Sequence, residues 1–174
     1  MLSNDHVILR AVEPDDLEVM YLLENDARLW DSADTSAPFS SYALKQYIQT
    51  CSCNFYDDKA VRLAIALPTG LAVGFIDLHD YDPKHRRAEA GIVLMHEFQC
   101  QGLARQALGL LQTYARDVLH LHQVYAHVQD VNQRARRLFL ASGFTHVATL
   151  PQWTLCADGW HDVLVYQRIL GGQD

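Results

Sequence analysis

The stretch Gly91-Ile-Val-Leu-Met-His-Glu-Phe-Gln-Cys-Gln-Gly-Leu-Ala-Arg-Gln-Ala-Leu108 carries the decisive fold signal. It passes from an apolar run, through a short polar turn, into residues with helical periodicity. The turn contains Gln99-x-x-Gly102-x-Ala104, whose small residues let a backbone approach something bulky. A turn that opens a helix leaves several N–H groups unpaired and aimed at one point, a natural seat for phosphate. Gly102 is followed by Leu103 rather than Lys-Ser/Thr, so this is not a Mg-nucleotide P-loop. Ala107 or Leu108 stands where a dinucleotide fingerprint needs its third glycine.

Working outward, the apolar run predicts a strand over Arg87–Met95. The helix after the turn is supported by Leu103, Ala107, Leu110, Leu111, Tyr114, Ala115 and Val118, ending near Leu119. Upstream, Val61, Leu63, Ile65 and Leu67 alternate with smaller or polar residues, and Leu71 to Leu78 returns as the second arm of a hairpin. Asp80–Lys84 reads as a loop. Nearer the N-terminus, a strand over Val7–Ala11 gives way to Pro14-Asp15-Asp16, a helix start, with Leu17, Met20, Tyr21 and Leu23 on one face to about Asn25. The segment Ala27–Ser40 reads as a loop holding Trp30, Asp31 and Asp34. Ser40 or Ser41 caps a second helix to Thr50. Downstream, Gln123–Gln129 is a buried strand, Asn132 caps a helix over Gln133–Ser142, and Gly143 stops it. Strands over Thr145–Leu155 and Asp162–Leu170 close the chain. With no internal repeat or Pro/Gly linker, residues 1–174 read as one α+β domain.

The bulk composition narrows the function. The 174 residues are 49% hydrophobic and 20% charged, a globular balance. A formal charge of −7 argues against general nucleic-acid binding and favours a cationic partner. No apolar run approaches the roughly 20 residues that span a bilayer, and the first residues lack a basic and then apolar leader, so a cytoplasmic protein without a membrane partner is expected. Cys51-x-Cys53 is too closely spaced for a usual zinc knuckle, Cys100 and Cys156 stand apart, and the nine histidines are scattered. No metal is therefore expected, and the thiols are expected to be reduced.

Three separated motifs share an order and spacing: Arg86-Arg87-Ala88-Glu89-x-Gly91-Ile92-Val93-Leu94; Gln99-Cys100-Gln101-Gly102-Leu103-Ala104; and Asn132-x-x-Ala135-x-x-Leu138-Phe139-x-x-x-Gly143-Phe144. Together they resemble the GNAT N-acetyltransferases, and more narrowly the branch of spermidine/spermine and ribosomal-protein N-terminal acetyltransferases. The resemblance implies a mixed, mostly antiparallel central sheet flanked by helices and splayed between the fourth and fifth strands of the family. It implies acetyl-CoA as co-substrate, lying in that splay. Ile92, Val93 and Leu94 would pair with the pantetheine arm as an added strand, and an N–H near Ile92 would polarise the thioester carbonyl. The turn and helix start, from Gln99 through Cys100, Gln101, Gly102, Leu103 and Ala104 to Arg105, would hold the pyrophosphate, with Asn132 on the pantetheine arm.

The acceptor implied is a primary amine, of a polyamine-like or other small molecule or of a protein N-terminus. His127, five residues before Asn132, occupies a position that holds a glutamate base in one branch; Glu89 is the rival base, acting through water, and each reads equally as a structural or surface side chain. Phe139 stands where many relatives carry a tyrosine that protonates the leaving thiolate, so Tyr125 is the substitute candidate. Trp30 is a candidate wall over the amine, or a core plug. A homo-oligomer is compatible with the family. The contrasting expectation is an acyl-CoA-binding sensor with little turnover, motivated by Phe139.

Overall fold

A two-residue strand, β1 (Leu2–Ser3), precedes the first strand expected from the sequence, β2 (Ile8–Ala11). The structure is a computed structural model describing residues 2–33, 37–51 and 54–171. After β2, a single 3-10 turn (Pro14–Asp16) feeds α1 (Leu17–Glu24). Asp16 joins these pieces: it accepts a bidentate pair from Arg10 of β2 (2.7 and 2.8 Å) and the Glu13 N–H (2.8 Å).

The segment after α1 corrects one expectation. Ala27–Ala33 is a helix, α2, not a loop. Its first turn is set by Asp26, whose carboxylate accepts the Arg28 N–H (3.0 Å) and whose carbonyl accepts the Leu29 N–H (2.8 Å). The Trp30 indole N–H donates to the Glu24 carbonyl (3.1 Å), covering an orphan acceptor at the end of α1. Asp34 and Cys53, both singled out in the sequence, lie outside the described residues. The second expected helix is α3 (Ser41–Thr50), capped by Ser40 on the Ala43 N–H, and a short α4 (Phe55–Asp58) follows.

Strands β3 (Val61–Ala66), β4 (Ala72–Asp82) and β5 (Arg87–Leu94) form a meander. The Asp80–Lys84 loop is shorter than expected, because β4 continues through a register shift between His79 and Asp82. Tyr81 is held there by its N–H to the Lys59 carbonyl (3.2 Å) and by packing on Phe55, ring centroids 4.6 Å apart. The chain then runs through a 3-10 turn (His96–Phe98), α5 (Leu103–Asp117), β6 (Gln123–Gln129), α6 (Gln133–Ala141), β7 (Thr145–Cys156) and β8 (Gly159–Ile169).

The eight strands make one sheet in the order β1-β2-β3-β4-β5-β6-β8-β7, antiparallel except for the parallel β5–β6 pair. Alternation along each strand sends one set of side chains to each face. Leu63, Ile65, Ile76, Leu78, Val124, Ala126 and Val128 pack with Leu108 and Leu111 of α5 and Phe139 of α6. Ala64 and Phe75 face the other way, onto Met20 and Leu23 of α1 and Leu44 of α3. That second cluster includes no residue of β6, β7 or β8 among the described residues, so the sheet's second face is covered by helices only over its first half.

Candidate functional site

Hydrogen bonding between β5 and β6 lasts for three residue pairs: Arg87↔Gln123, Ala88↔Val124 and Glu89↔Tyr125. Beyond Glu89 each strand keeps only its outer partner. β5 remains on β4 as far as Gly74↔Leu94, and β6 remains on β8 as far as Gln129↔Val163. The two strands therefore part into a V at the level of Glu89, with Ile92, Val93 and Leu94 along one arm. Gly74 allows β5 to lie where it does. A Cβ there would stand 2.2 Å from the Val93 carbonyl oxygen and 2.9 Å from the Leu94 Cα, so no other residue fits.

The open end of the V meets the turn Gln99–Gly102. Gln99 braces it, donating to the Leu94 carbonyl (2.9 Å) while its Oε1 accepts from Arg134 (2.7 Å). Gln101 donates to the Glu97 carbonyl (2.7 Å). Cys100 (φ 60°) and Gly102 (φ 82°) are both left-handed. At Gly102 a Cβ would meet no atom among the described residues, so the glycine serves the backbone angle rather than a crowded neighbour. Among the described residues no side chain caps α5. The N–H groups of Leu103, Ala104 and Arg105, which lack partners a turn earlier in a helix, thus point out of a 15-residue helix at the mouth of the V. This is a donor set suited to a pyrophosphate. Asn132 spends its Oδ1 on the Ala135 N–H (3.1 Å), capping α6 beside the other arm.

The vertex brings the two rival bases together. The Glu89 Oε1 lies 2.9 Å from His127 Nδ1 and also accepts the His127 backbone N–H (3.2 Å). The Glu89 side chain is 14% exposed and the His127 side chain 37%, so the pair is anchored at its carboxylate and open at its imidazole. Tyr125 stands edge-on to His127, ring centroids 5.6 Å apart. Burial raises the Tyr125 phenol above its ordinary pKa, helped by the Glu89, Asp80 and Asp82 carboxylates and opposed by Arg87. The phenol accordingly remains protonated at neutral pH. Tyr125 and His127 open on a shallow groove of about 350 Å³, also lined by Arg87, Gln123, Val147, Val165 and Gln167.

Two predicted residues sit away from this vertex. Phe139 is 4% exposed and packs edge-on against Phe144 (5.0 Å) and stacked on Tyr166 (6.2 Å). Trp30 is half-buried against the end of α1.

The sequence reading missed the acidic surroundings. Asp77, His79 and Glu89 alternate toward the same face as Gly91, whose added Cβ would touch Asp77 Oδ2 at 3.6 Å and His79 Nε2 at 3.8 Å. Arg62 is shared between Asp77 (2.7 Å) and Glu24 of α1 (2.6 Å). Desolvation works against its charge, but the two carboxylates outweigh it and hold the guanidinium well above its ordinary pKa. Arg87 reaches Asp82 at 3.3 Å. With Asp80 beside His79, the carboxylates Glu24, Asp77, Asp80, Asp82 and Glu89 therefore face two arginines around the vertex. One signal for Gly74 was available in the sequence, a glycine inside an apolar strand; no periodicity marks the others as neighbours.

Residues 6–145 match the family described as acetyltransferase (GNAT) domain. The chain is 29% identical over 152 residues to spermidine N(1)-acetyltransferase of Escherichia coli strain K12, covering 83% of this chain and 76% of that protein. Its fold is similar to that of spermidine N-acetyltransferase from Vibrio cholerae in complex with CoA and spermine (TM-score 0.86, 24% identity, 96% and 97% of the two chains). It is also similar to a dodecameric structure of spermidine N-acetyltransferase from the same organism (TM-score 0.79, 25% identity, 96% and 95% covered).

Proposed function

The chain belongs to the GNAT acetyltransferase family, and from that premise we propose that it transfers the acetyl group of acetyl-CoA to a primary amine of a polyamine-like cation. The observation that carries the reading is the Glu89–His127 pair, set at the vertex of the β5–β6 V and surrounded by an excess of carboxylates. The pyrophosphate would lie on the N–H groups that open α5. The pantetheine arm would extend along Ile92–Leu94 as an added strand, bringing the thioester to the vertex.

Acetyl transfer needs a neutral amine. At pH 7, deprotonating an amine of pKa about 10.4 costs roughly 4–5 kcal/mol, so a base beside the nucleophile is worth having. A carboxylate only accepts hydrogen bonds, so His127 Nδ1 carries the proton toward Glu89 and Nε2 is left to take one from the ammonium. Glu89 thus acts as a positioning residue and His127 as the base. The freed amine attacks the carbonyl carbon, and the oxyanion is held by a backbone N–H near Ile92. The zwitterionic intermediate then loses the second nitrogen proton to solvent and collapses to amide and thiolate. Phe139 has no proton to give, so the Tyr125 phenol supplies it. The acidic face retains the further ammonium groups of a polyamine while one amine reacts.

We also propose that the chain self-associates. The dodecameric relative and the exposed apolar side chains Trp153, Leu155 and Trp160 on the edge hairpin β7–β8 support this.

The test is CoA-thiol release measured over a panel of triamines, diamines, monoamines and peptides. Turnover greatest for the triamines is expected. Saturable acetyl-CoA binding without turnover of any amine would replace the enzyme with an acyl-CoA sensor, the reading that Phe139 favours.

A further inference from the structure

We infer that Gln123 and Gln167 form an amide-reading subsite in the groove beside the vertex, and that through it the protein acetylates the free end of an N-acyl diamine. This rests on the proposed function and gives the same base a second class of acceptor. Both glutamines are partly buried on the sheet face that carries Tyr125 and His127, and Gln167 Nε2 donates to Gln123 Oε1. The link holds the two side chains together and leaves Gln167 Oε1 as an acceptor and Gln123 Nε2 as a donor. Reversing both amides again leaves one of each.

A secondary amide carries one N–H and one C=O, so it can satisfy both groups. An ammonium carries donors alone and leaves the Gln123 donor without an acceptor. Among the described residues no carboxylate lines the groove, and Arg87 stands beside Gln123 at the end away from His127. Asp82 meets the Arg87 charge at 3.3 Å only, so a second cation in the groove is opposed. The same nitrogen, once acylated, is neutral. Spacing agrees with this occupant. Val165 faces His127 across the sheet and Gln167 faces Tyr125, so the amide pair begins two strand residues, about 7 Å, from the base. An extended spacer of about four carbons covers that distance, its methylenes lying on Val165, Val147 and the Tyr125 ring. A peptide N-terminus instead carries its first amide immediately beside the reacting nitrogen, short of the pair.

The vertex thus serves acceptors from two sides of one sheet face. Cationic tails leave across β5 toward Asp77, and acylated tails leave across β6 toward Gln167. The chemistry is unchanged: the amine nitrogen bonds the acetyl carbon and the C–S bond breaks. The ammonium gives up two protons, one to His127 and one to solvent, and CoA departs as the thiol with the proton from Tyr125. The product is a di-N-acylated diamine, which has no amine left to react.

The experiment compares kcat/KM of the full chain for N-acetylputrescine and for n-heptylamine, an amine of the same chain length without the amide, and identifies the diacetylated product by mass spectrometry. N-acetylputrescine is expected to lead by about tenfold or more, and Gln123→Leu or Gln167→Leu to remove most of that lead. Gln167→Glu, which keeps size and polarity should the leucine variants unfold, is expected to turn the preference from N-acetylputrescine to putrescine. Equal kcat/KM for the amide and the alkylamine, or a preference unchanged in all three variants, overturns the subsite while turnover of triamines leaves the proposed function standing. A short peptide that outruns N-acetylputrescine and depends on the same glutamines overturns the occupant. If no amine is turned over, the proposed function fails, and calorimetric titration of N-acetylputrescine into the protein with CoA decides the subsite. Binding weakened about tenfold in Gln167→Leu sustains it, and absent binding overturns it.

Discussion

At the scale of single residues the arrangement at the vertex makes Glu89 and His127 one unit rather than two independent candidates. Groups that act as a unit are not additive when removed. His127→Ala is expected to lower kcat by about 10²-fold or more. Glu89→Gln, which keeps the shape but accepts less well, is expected to lower kcat by about tenfold with an unchanged KM for acetyl-CoA. The double variant should be little worse than His127→Ala alone; steady-state kinetics of the three variants check this, and multiplicative losses would return Glu89 to an independent role. Tyr125→Phe removes the phenol whose proton is retained by burial and by neighbouring carboxylates. Its kcat is expected to fall with thioester donors and to recover in part with a donor whose thiol is a better leaving group.

At the scale of elements two joints matter. Arg10 and Asp16 clamp β2 to the start of α1, and Asp16 is 3% exposed. Burial by itself raises the Asp16 pKa, but the Arg10 hydrogen bonds, the Glu13 N–H and the Arg10 charge outweigh it and hold the carboxyl below its usual value. The contribution is therefore fully present above the ordinary carboxylate range and is lost as pH falls through the lower, folded-state value. Asp16→Asn is expected to cost about 3 kcal/mol in urea unfolding at pH 7, with the difference from wild type shrinking as the pH falls below the ordinary carboxylate range. The second joint is Gly74. Gly74→Ala forces β5 away from β4 where the V opens, and overpacking of this kind costs about 1–3 kcal/mol. Acetyl-CoA affinity should fall together with the melting temperature, whereas the Asp16 variant should lose stability alone at temperatures where it remains folded.

At the scale of the whole molecule the charge pattern becomes meaningful. A net −7 is compatible with plain solubility, but Glu24, Asp77, Asp80, Asp82 and Glu89 gather on one half-covered face of the sheet. Screening at about 0.3 M salt shortens the reach of such a field to below ~6 Å. Between about 50 mM and about 300 mM salt, kcat/KM for a triamine is expected to fall several-fold while that for a monoamine changes less; equal responses would mean that the face does not select multiply charged amines.

The sequence by itself determined the strands and helices whose periodicity is strong, the turn Gln99–Gly102 and its helix, and the cap at Asn132. It did so because these depend on residues close in the chain. α2 escaped it because its first turn is set by Asp26 contacts within a segment too short to show a period. The extension of β4 to Asp82 depends on Phe55 and Lys59, more than twenty residues away. The sequence also named Glu89 and His127 but could not choose between them. Only the tertiary structure brought them to 2.9 Å, because a parallel pairing of three residues followed by divergence is a property of two strands 38 positions apart. Register converts scattered acids from β4, β5 and α1 into one surface. No local pattern records it.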